Sequence, residues 1–212
     1  MATGLRERKK QQTRQQIAEA ARGLFAERGF AKVTVAEIAR AADVSEQTVF
    51  NYFPTKEDLV YWRLGSFEEE LLATIREREP GEPALAAFRR FVLAQRGLLG
   101  EHDAAAREQL TAFTRMIVES PALRAREAQI LFGYTASLAA LLAEETGAGE
   151  DDIRPVVAAN AMMGVHRSLI DYVRGRVVAG ELGPELGPRV RAEAERALDL
   201  IDAGLGDFAP GR

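Results

Sequence analysis

Apolar residues recur at three- and four-residue spacing along nearly the whole chain of 212 residues, and no segment alternates apolar and polar residues as a half-buried strand does. Near the N-terminus, for example, Ile17, Ala21 and Phe25 lie on one helical stripe. A chain with helical periodicity and no strand pattern can build a core only by packing helix on helix. We therefore predict an all-α fold of about nine helices.

Capping and breaking signals set the predicted helix boundaries. Gly29 stands where a left-handed residue would end the first helix, and Thr34 and Glu37 form a capping box at the start of the second. Pro54 ends a short third helix, and Thr55 caps a fourth. The predicted helices cover about residues 6–28, 34–40, 46–52, 55–79, 83–98, 103–119, 121–145, 151–178 and 186–204.

The second and third helices are predicted to form a helix-turn-helix. Asp43 lies in the turn between them, where a left-handed residue is expected, because aspartate tolerates a positive φ better than most residues. Ser45 then caps the short helix that follows. A short helix held on a small apolar base can project into the major groove of DNA. Similar hairpins occur in enzymes, so this geometry alone leaves an ordinary helical subdomain open.

Positive charge is concentrated in the segment that contains this hairpin. Residues 1–56 contain 10 Lys or Arg and 6 Asp or Glu, whereas the remainder contains 18 and 26. A basic head on an acidic body favours contact between the head and a polyanion. We predict a DNA-binding domain over residues 1–56 and a second domain over residues 57–212.

The short helix and its flanks carry side chains of the types that contact DNA. Gln47 and Asn51 can each make paired hydrogen bonds to adenine, and Glu46 can accept a hydrogen bond from cytosine. Phe50 can contact a thymine methyl group. Hydroxyl groups and the Lys56 ammonium are expected at phosphates, where they fix register without reading sequence. The candidate DNA-binding residues are Thr34, Ser45, Glu46, Gln47, Thr48, Phe50, Asn51, Tyr52 and Lys56.

The stretch TVAEIARAADVSEQTVFNYFPTKEDLV closely resembles the signature of the TetR family of bacterial regulators, and IAEAARGLFAERGFAKVTV upstream is similar to the family's first helix. The resemblance covers about residues 11–59 and implies that the candidate residues above occupy the DNA-contacting positions. Three positions depart from the family pattern, namely Asp43 for glycine, Gln47 for a small residue and Phe50 for tyrosine. The change at Asp43 is harmless, whereas those at Gln47 and Phe50 alter the operator sequence expected, not the mode of binding.

The resemblance also implies a second domain that encloses an effector pocket and pairs with another copy of the chain through its last two helices. From the residues alone, the apolar stripes of these last two helices can equally be part of the core of a single chain. The pocket candidates are mainly apolar and fit an apolar or amphipathic effector. The resemblance of the segment TVFNYFPTKEDL to that of acyl-CoA-binding relatives implies acyl-CoA-like molecules as one class. The pocket candidates are Phe67, Leu71, Phe88, Phe91, Phe113, Met116, Tyr134, Met163 and His166. The candidates for the dimer interface are Val157, Gly164, Arg167, Leu198, Ile201 and Leu205.

Other classes of protein are disfavoured by what the sequence lacks. There is no cysteine, the two histidines lie far apart, and no catalytic or phosphate-binding motif is present. No apolar run reaches the roughly 18 residues of a membrane-spanning helix. We expect a homodimeric cytoplasmic repressor, without cofactor or membrane contact, that binds double-stranded operator DNA with a palindromic sequence and is released by a small effector. The alternatives are a constitutive DNA-binding protein without an effector, and an all-α enzyme.

Overall fold

The computed structural model describes residues 2–62, 64–94 and 104–205, and all regular structure in these ranges is helical. The predicted all-α fold class is confirmed. Two 3-10 turns, Phe30–Lys32 and Glu57–Leu59, stand between helices. The nine α-helices of the described ranges are α1 Ala2–Arg28, α2 Val35–Ala41, α3 Glu46–Tyr52, α4 Leu64–Arg76, α5 Ala84–Ala94, α6 Ala104–Glu119, α7 Pro121–Thr146, α8 Arg154–Val178 and α9 Leu186–Leu205.

The helix predicted to run from Thr55 to about residue 79 is wrong at its start. The Thr55 amide donates to Asp58 Oδ2 at 2.9 Å and the Asp58 amide donates to Thr55 Oγ1 at 3.3 Å, which closes a 3-10 turn, and α4 begins only at Leu64. Leu59 and Tyr61 are both buried, at 2% and 4% exposure. Residues two apart do not share a face of an α-helix, so a continuous helix would expose one of these side chains.

The chain forms two compact units. The head unit comprises Met1–Gly65 and Arg115–Glu127, and the body unit comprises Ser66–Thr114 and Ala128–Arg212. The head thus includes the end of α6 and the start of α7, which come from far along the chain. The predicted functional boundary after residue 56 stays a prediction.

The head is built on three short stretches of apolar side chains. α1 packs against α2, and α2 packs against α3. Ile17 from α1, Ile38 from α2 and Val49 from α3 are each at most 1% exposed, as is Phe53 directly after α3. Because this core contains little but aliphatic and aromatic carbon, it holds α3 in place through burial of apolar surface.

The body is a bundle in which α8 and α9 pack on each other and on α5. Leu71, Phe88 and Leu198 are completely buried in it. The Arg89 guanidinium pairs with Asp199 at 2.6 Å and thereby joins α5 to α9. No helix within the described ranges is both long and apolar enough to cross a bilayer.

Candidate nucleic-acid interface and buried aromatic cluster

The turn between α2 and α3 is fixed by several hydrogen bonds. The Val44 amide donates to the Ala39 carbonyl at 2.9 Å, and Gln16 Nε2 of α1 donates to the Ala42 carbonyl at 2.9 Å. Asp43 has φ 50, so the predicted left-handed aspartate is confirmed. Ser45 caps α3 by accepting from the Thr48 amide at 3.1 Å, also as predicted. The orientation of α3 on the head is therefore set by backbone geometry as well as by the core.

The outer face of α3 carries the predicted reading residues. Glu46, Gln47, Phe50 and Asn51 are exposed, whereas Thr48 and Tyr52 are half-buried. Phe50 is a large aromatic side chain with 44% exposure. Gln47 Nε2 donates to Asn51 Oδ1 at 3.1 Å, so the two amides hold each other in a defined orientation. Six of the nine candidates thus lie on one short helix, namely Glu46, Gln47, Thr48, Phe50, Asn51 and Tyr52.

Thr34 is the N-cap of α2 and takes part in a small polar network. Its amide and its hydroxyl both donate to Glu37 Oε2, at 2.8 Å and 2.9 Å, and the predicted capping box is confirmed. Arg28 pairs with the same carboxylate at 2.8 Å. The hydrogen bonds from Thr34, together with Arg28, lower the pKa of Glu37 to about 2. A phosphate contact by Thr34 therefore requires its donors to leave Glu37.

Lys56 lies just after α3, with its ammonium directed at the end of α1. Nζ donates to the Phe30 carbonyl at 2.6 Å and lies 4.1 Å from the centroid of the Phe30 ring. Partial burial lowers the pKa of Lys56 below its usual range. Gly29 positions Phe30 for this contact, with φ 80 and ψ 152, an extended mirror-image conformation and not the predicted left-handed cap. Lys56 is thus a structural residue of the head in addition to a candidate phosphate contact.

A second segment of the head was missed by the sequence analysis. Arg126 Nε pairs with Asp58 Oδ1 at 2.7 Å, and the Tyr61 hydroxyl donates to the Leu123 carbonyl at 3.0 Å. These two contacts attach the start of α7 to the residues that follow α3. No local pattern in the sequence marks this attachment, because its partners are more than sixty positions apart.

The body contains a cluster of four rings, each from a different helix. Phe67 of α4 is at its centre, with His166 of α8 stacked on it at 4.4 Å between ring centroids. Tyr134 of α7 stacks on Phe67 at 5.6 Å, and Phe91 of α5 meets it edge-on at 5.1 Å. All four were among the pocket candidates. We call these four residues the aromatic cluster.

His166 is the polar member of the aromatic cluster. It is only 6% exposed, and its Nδ1 atom is buried without a hydrogen-bond partner among the residues that the structure describes. Burial lowers the pKa of His166 to about 4, so the imidazole is neutral near pH 7. Burial also raises the pKa of Tyr134, so its phenol stays protonated. An unpaired buried nitrogen costs free energy unless a bound molecule or a water satisfies it.

The other pocket candidates fall into two groups. Leu71, Phe88 and Met163 are buried in the body, at 0%, 0% and 4% exposure. Phe113 is 41% exposed, and Met116 is half-buried and belongs to the head unit. The first group belongs with the interior of the body, and the second does not.

The candidates for a dimer interface also divide by burial. Val157 and Arg167 are exposed, and Gly164 and Ile201 are half-buried. Leu198 is completely buried within its own chain, so its side chain packs the body's core and is not available to a partner. The Leu205 side chain lies outside the described residues.

Two further large apolar side chains on α8 and α9 are exposed and extend the set of interface candidates. Val156 of α8 is 50% exposed, and Leu200 of α9 is 77% exposed. Leu200 lies two positions after the buried Leu198 and therefore on the opposite side of α9.

Within the described ranges, no group of three or more acidic or histidine side chains is placed to bind a metal ion.

Comparison with known proteins decides the family. A sequence profile described as "Bacterial regulatory proteins, tetR family" matches residues 17–61, and one described as "MftR C-terminal domain" matches residues 82–177. The transcriptional regulator TcmR of Streptomyces glaucescens is 31% identical over 155 residues, which cover 72% of this chain and 69% of TcmR. The chain belongs to the TetR family of bacterial transcriptional regulators. The resemblance found in the sequence is confirmed.

Two further proteins are similar to this chain over nearly its whole length. The regulator MftR of Mycobacterium tuberculosis, named for mycofactocin biosynthesis, is 27% identical over 93% of both chains. The structure of FadR from Bacillus subtilis in complex with stearoyl-CoA has a TM-score of 0.53 and 24% identity, covering 90% of this chain and 97% of FadR. The FadR likeness shows the fold alone.

Membership of the TetR family settles the class of function. The protein is a ligand-responsive transcriptional regulator, since TetR regulators bind DNA operators and small-molecule effectors. The family is not enzymatic, so the prediction that this chain is not an enzyme is confirmed.

Proposed function

We propose that the protein is a cytoplasmic repressor that binds a palindromic operator as a homodimer and is released by a small apolar or amphipathic effector. The head reads DNA through Gln47, Asn51 and their neighbours on α3, and the effector binds in the body beside the aromatic cluster. One observation carries the effector part of this proposal, namely the buried Nδ1 atom of His166, which lacks a partner among the described residues. An effector group placed against this atom would recover the free energy that an unpaired buried nitrogen costs.

The first effector class to test is acyl-CoA. The FadR structure named above contains stearoyl-CoA, and its fold is shared by this chain. A long acyl chain is compatible with the apolar surroundings of Phe67, Leu71 and Phe88. The apolar interior of the body therefore supports an effector that is mainly apolar, and it does not specify which polar group that effector carries.

The test is a titration of palmitoyl-CoA with and without operator DNA, with the operator first obtained by selection from random duplexes. A ligand that favours the DNA-free conformation releases DNA, and each tenfold change in affinity requires about 1.4 kcal/mol of difference between the two states. By reciprocity, operator DNA weakens ligand binding by the same factor. Equal affinity for free and DNA-bound protein contradicts release, and DNA binding that no small molecule alters favours the constitutive alternative.

Gln47→Ala is expected to relax base preference at one position in each half-site. The substitution removes an amide that can pair with adenine, so about 1–3 kcal/mol of discrimination is lost there. Asn51 also loses the amide that orients it, so Gln47→Ala and Asn51→Ala should be non-additive in a double-mutant cycle. Site selection at fixed salt measures both effects. An unchanged preferred sequence would rule out base reading by Gln47.

Lys56→Ala is expected to weaken binding to operator and to random DNA by similar factors and to reduce the salt slope by about 1, because a phosphate contact releases counterions. The variant should also lower the melting temperature, since Nζ holds the Phe30 carbonyl. Lys56→Arg, which keeps the charge, serves as the control. If the salt slope is unchanged while stability falls, the role of Lys56 is structural only.

A further inference from the structure

We infer that the effector is a neutral, ring-containing molecule with a hydroxyl group that donates a hydrogen bond to Nδ1 of His166. This inference rests on the proposed function, because it names the chemical class of the molecule that binds beside the aromatic cluster. It differs from the acyl-CoA class, which carries charged phosphates and whose acyl end has neither a ring nor a hydrogen-bond donor.

The position of His166 restricts how an effector can approach it. The imidazole is stacked on Phe67 at 4.4 Å and is enclosed to 94% of its surface, so one ring face is already covered. The rings of Tyr134 and Phe91 also contact the ring of Phe67. Rings pack against such surroundings in stacked or edge-on geometry with a gain beyond the area that they bury. An aromatic body on the effector therefore suits this site.

The unpaired atom specifies a hydrogen-bond donor. A neutral histidine has a proton on one ring nitrogen and a lone pair on the other. The form protonated at Nε2 is intrinsically the more stable one, and it leaves Nδ1 as an acceptor. Because Nδ1 is buried and has no partner among the described residues, a hydroxyl group placed against it would satisfy the lone pair.

The surroundings of His166 disfavour a charged effector group. Taken as whole residues, Tyr134, Thr114 and His166 are the buried polar ones in the described part of the body unit, and none of them is a cation. Arg78, whose side chain is 4% exposed, already pairs with Glu145 at 2.8 Å. A carboxylate would face the lone pair of Nδ1 unless the imidazole took up a proton, which burial opposes. A phenol or another neutral hydroxyl compound meets neither obstacle.

The experiment compares four probes on the full-length protein by calorimetry without DNA: 4-phenylphenol, its methyl ether 4-methoxybiphenyl, biphenyl-4-carboxylate and palmitoyl-CoA. The phenol should bind about tenfold or more tightly than the ether, which has the same rings but no donor. His166→Phe keeps a ring on Phe67 and should abolish the difference between phenol and ether. His166→Gln keeps an acceptor and should retain part of it.

A spectroscopic measurement tests the same atom directly. The chain has two histidines, His102 and His166, so ¹⁵N-histidine labelling gives two ring systems, and His166→Phe assigns them. The Nε2–H form of His166 is expected, with its Nδ1 resonance shifting when 4-phenylphenol is added and not when 4-methoxybiphenyl is added. The inference is overturned if Nδ1 is the protonated nitrogen or if phenol and ether bind with equal affinity. It is also overturned if palmitoyl-CoA binds, or if none of the four probes binds. Release of operator by palmitoyl-CoA alone would overturn the inference and leave the proposed function standing. Phenol binding without any effect on DNA would show that the phenol is a ligand of His166 and not the effector, which also overturns the inference.

Discussion

The double substitution Val157→Asp and Leu200→Asp is expected to make the protein monomeric and to weaken its binding to a palindromic operator by at least about 100-fold. Val157 and Leu200 are 52% and 77% exposed on α8 and α9, which pack on each other. Burying an aspartate in an interface between two copies is costly because its charge loses hydration. The substitutions should therefore separate the copies without disturbing either core.

The loss of DNA affinity follows from the size of α3. This helix has 7 residues, so one head contacts only a few base pairs. Two linked heads gain from the high effective concentration of the second head once the first has bound. Light scattering at micromolar concentration gives the mass, and titration of an operator and of an isolated half-site gives the affinities. The double variant should bind the isolated half-site as well as the wild type does.

Phe132→Asp is the matched control for the interface. Phe132 is 76% exposed on α7 and belongs to neither α8 nor α9, so the same kind of substitution there should leave the mass and the operator affinity unchanged. A wild-type protein that is a monomer at micromolar concentration would contradict the proposal outright. So would a double variant that stays dimeric.

Local signals made the head predictable from the sequence. The capping box at Thr34 and Glu37, the left-handed Asp43 and the cap at Ser45 each depend on residues within a few positions of one another, and all three are present. The start of α4 could not be predicted in this way. It depends on the burial of both Leu59 and Tyr61, which is a property of the assembled head.

In the body, the sequence does not show which side of a helix is buried in its own chain and which side is exposed. The stripe that includes Leu198 is apolar at helical spacing, and such a stripe is equally compatible with an interface and with a core. In the structure Leu198 packs inside and Leu200 is exposed. The aromatic cluster shows the same limit, because Phe67 and Phe113 are indistinguishable as aromatic residues on amphipathic helices. Only the packing of four helices brings Phe67 next to His166.

Between pH 7 and pH 4 the wild-type protein is expected to lose about 3 kcal/mol more of its free energy of unfolding than the His166→Phe variant. The pKa of His166 is lowered from 6.5 to about 4, with burial as the cause. In this pH range the unfolded chain takes up a proton at His166 and the folded chain does not. Stability therefore falls as the pH drops through this window, and the difference becomes constant once the folded protein is also protonated.

His166→Phe removes this proton uptake while it retains a ring against Phe67. At pH 7 the variant should be at least as stable as the wild type, because the substitution also removes a buried nitrogen that has no partner in the described part of the chain. Acidic groups with lowered pKa values, such as Glu37 and Asp152, destabilise both proteins equally at low pH and cancel in the comparison.

Urea denaturation at pH 7, 6, 5 and 4 measures the effect, with the same series run on His102→Gln to assign it to one histidine. The His166→Phe curve should be flatter than the wild-type curve between pH 6.5 and 4, and the His102→Gln series measures how much of the slope belongs to the other histidine. Parallel curves for wild type and His166→Phe would mean that His166 is protonated as readily in the folded protein as in the unfolded chain. His166 would then lie in a site more polar than the aromatic cluster, and a neutral imidazole could no longer be the group that an effector meets there.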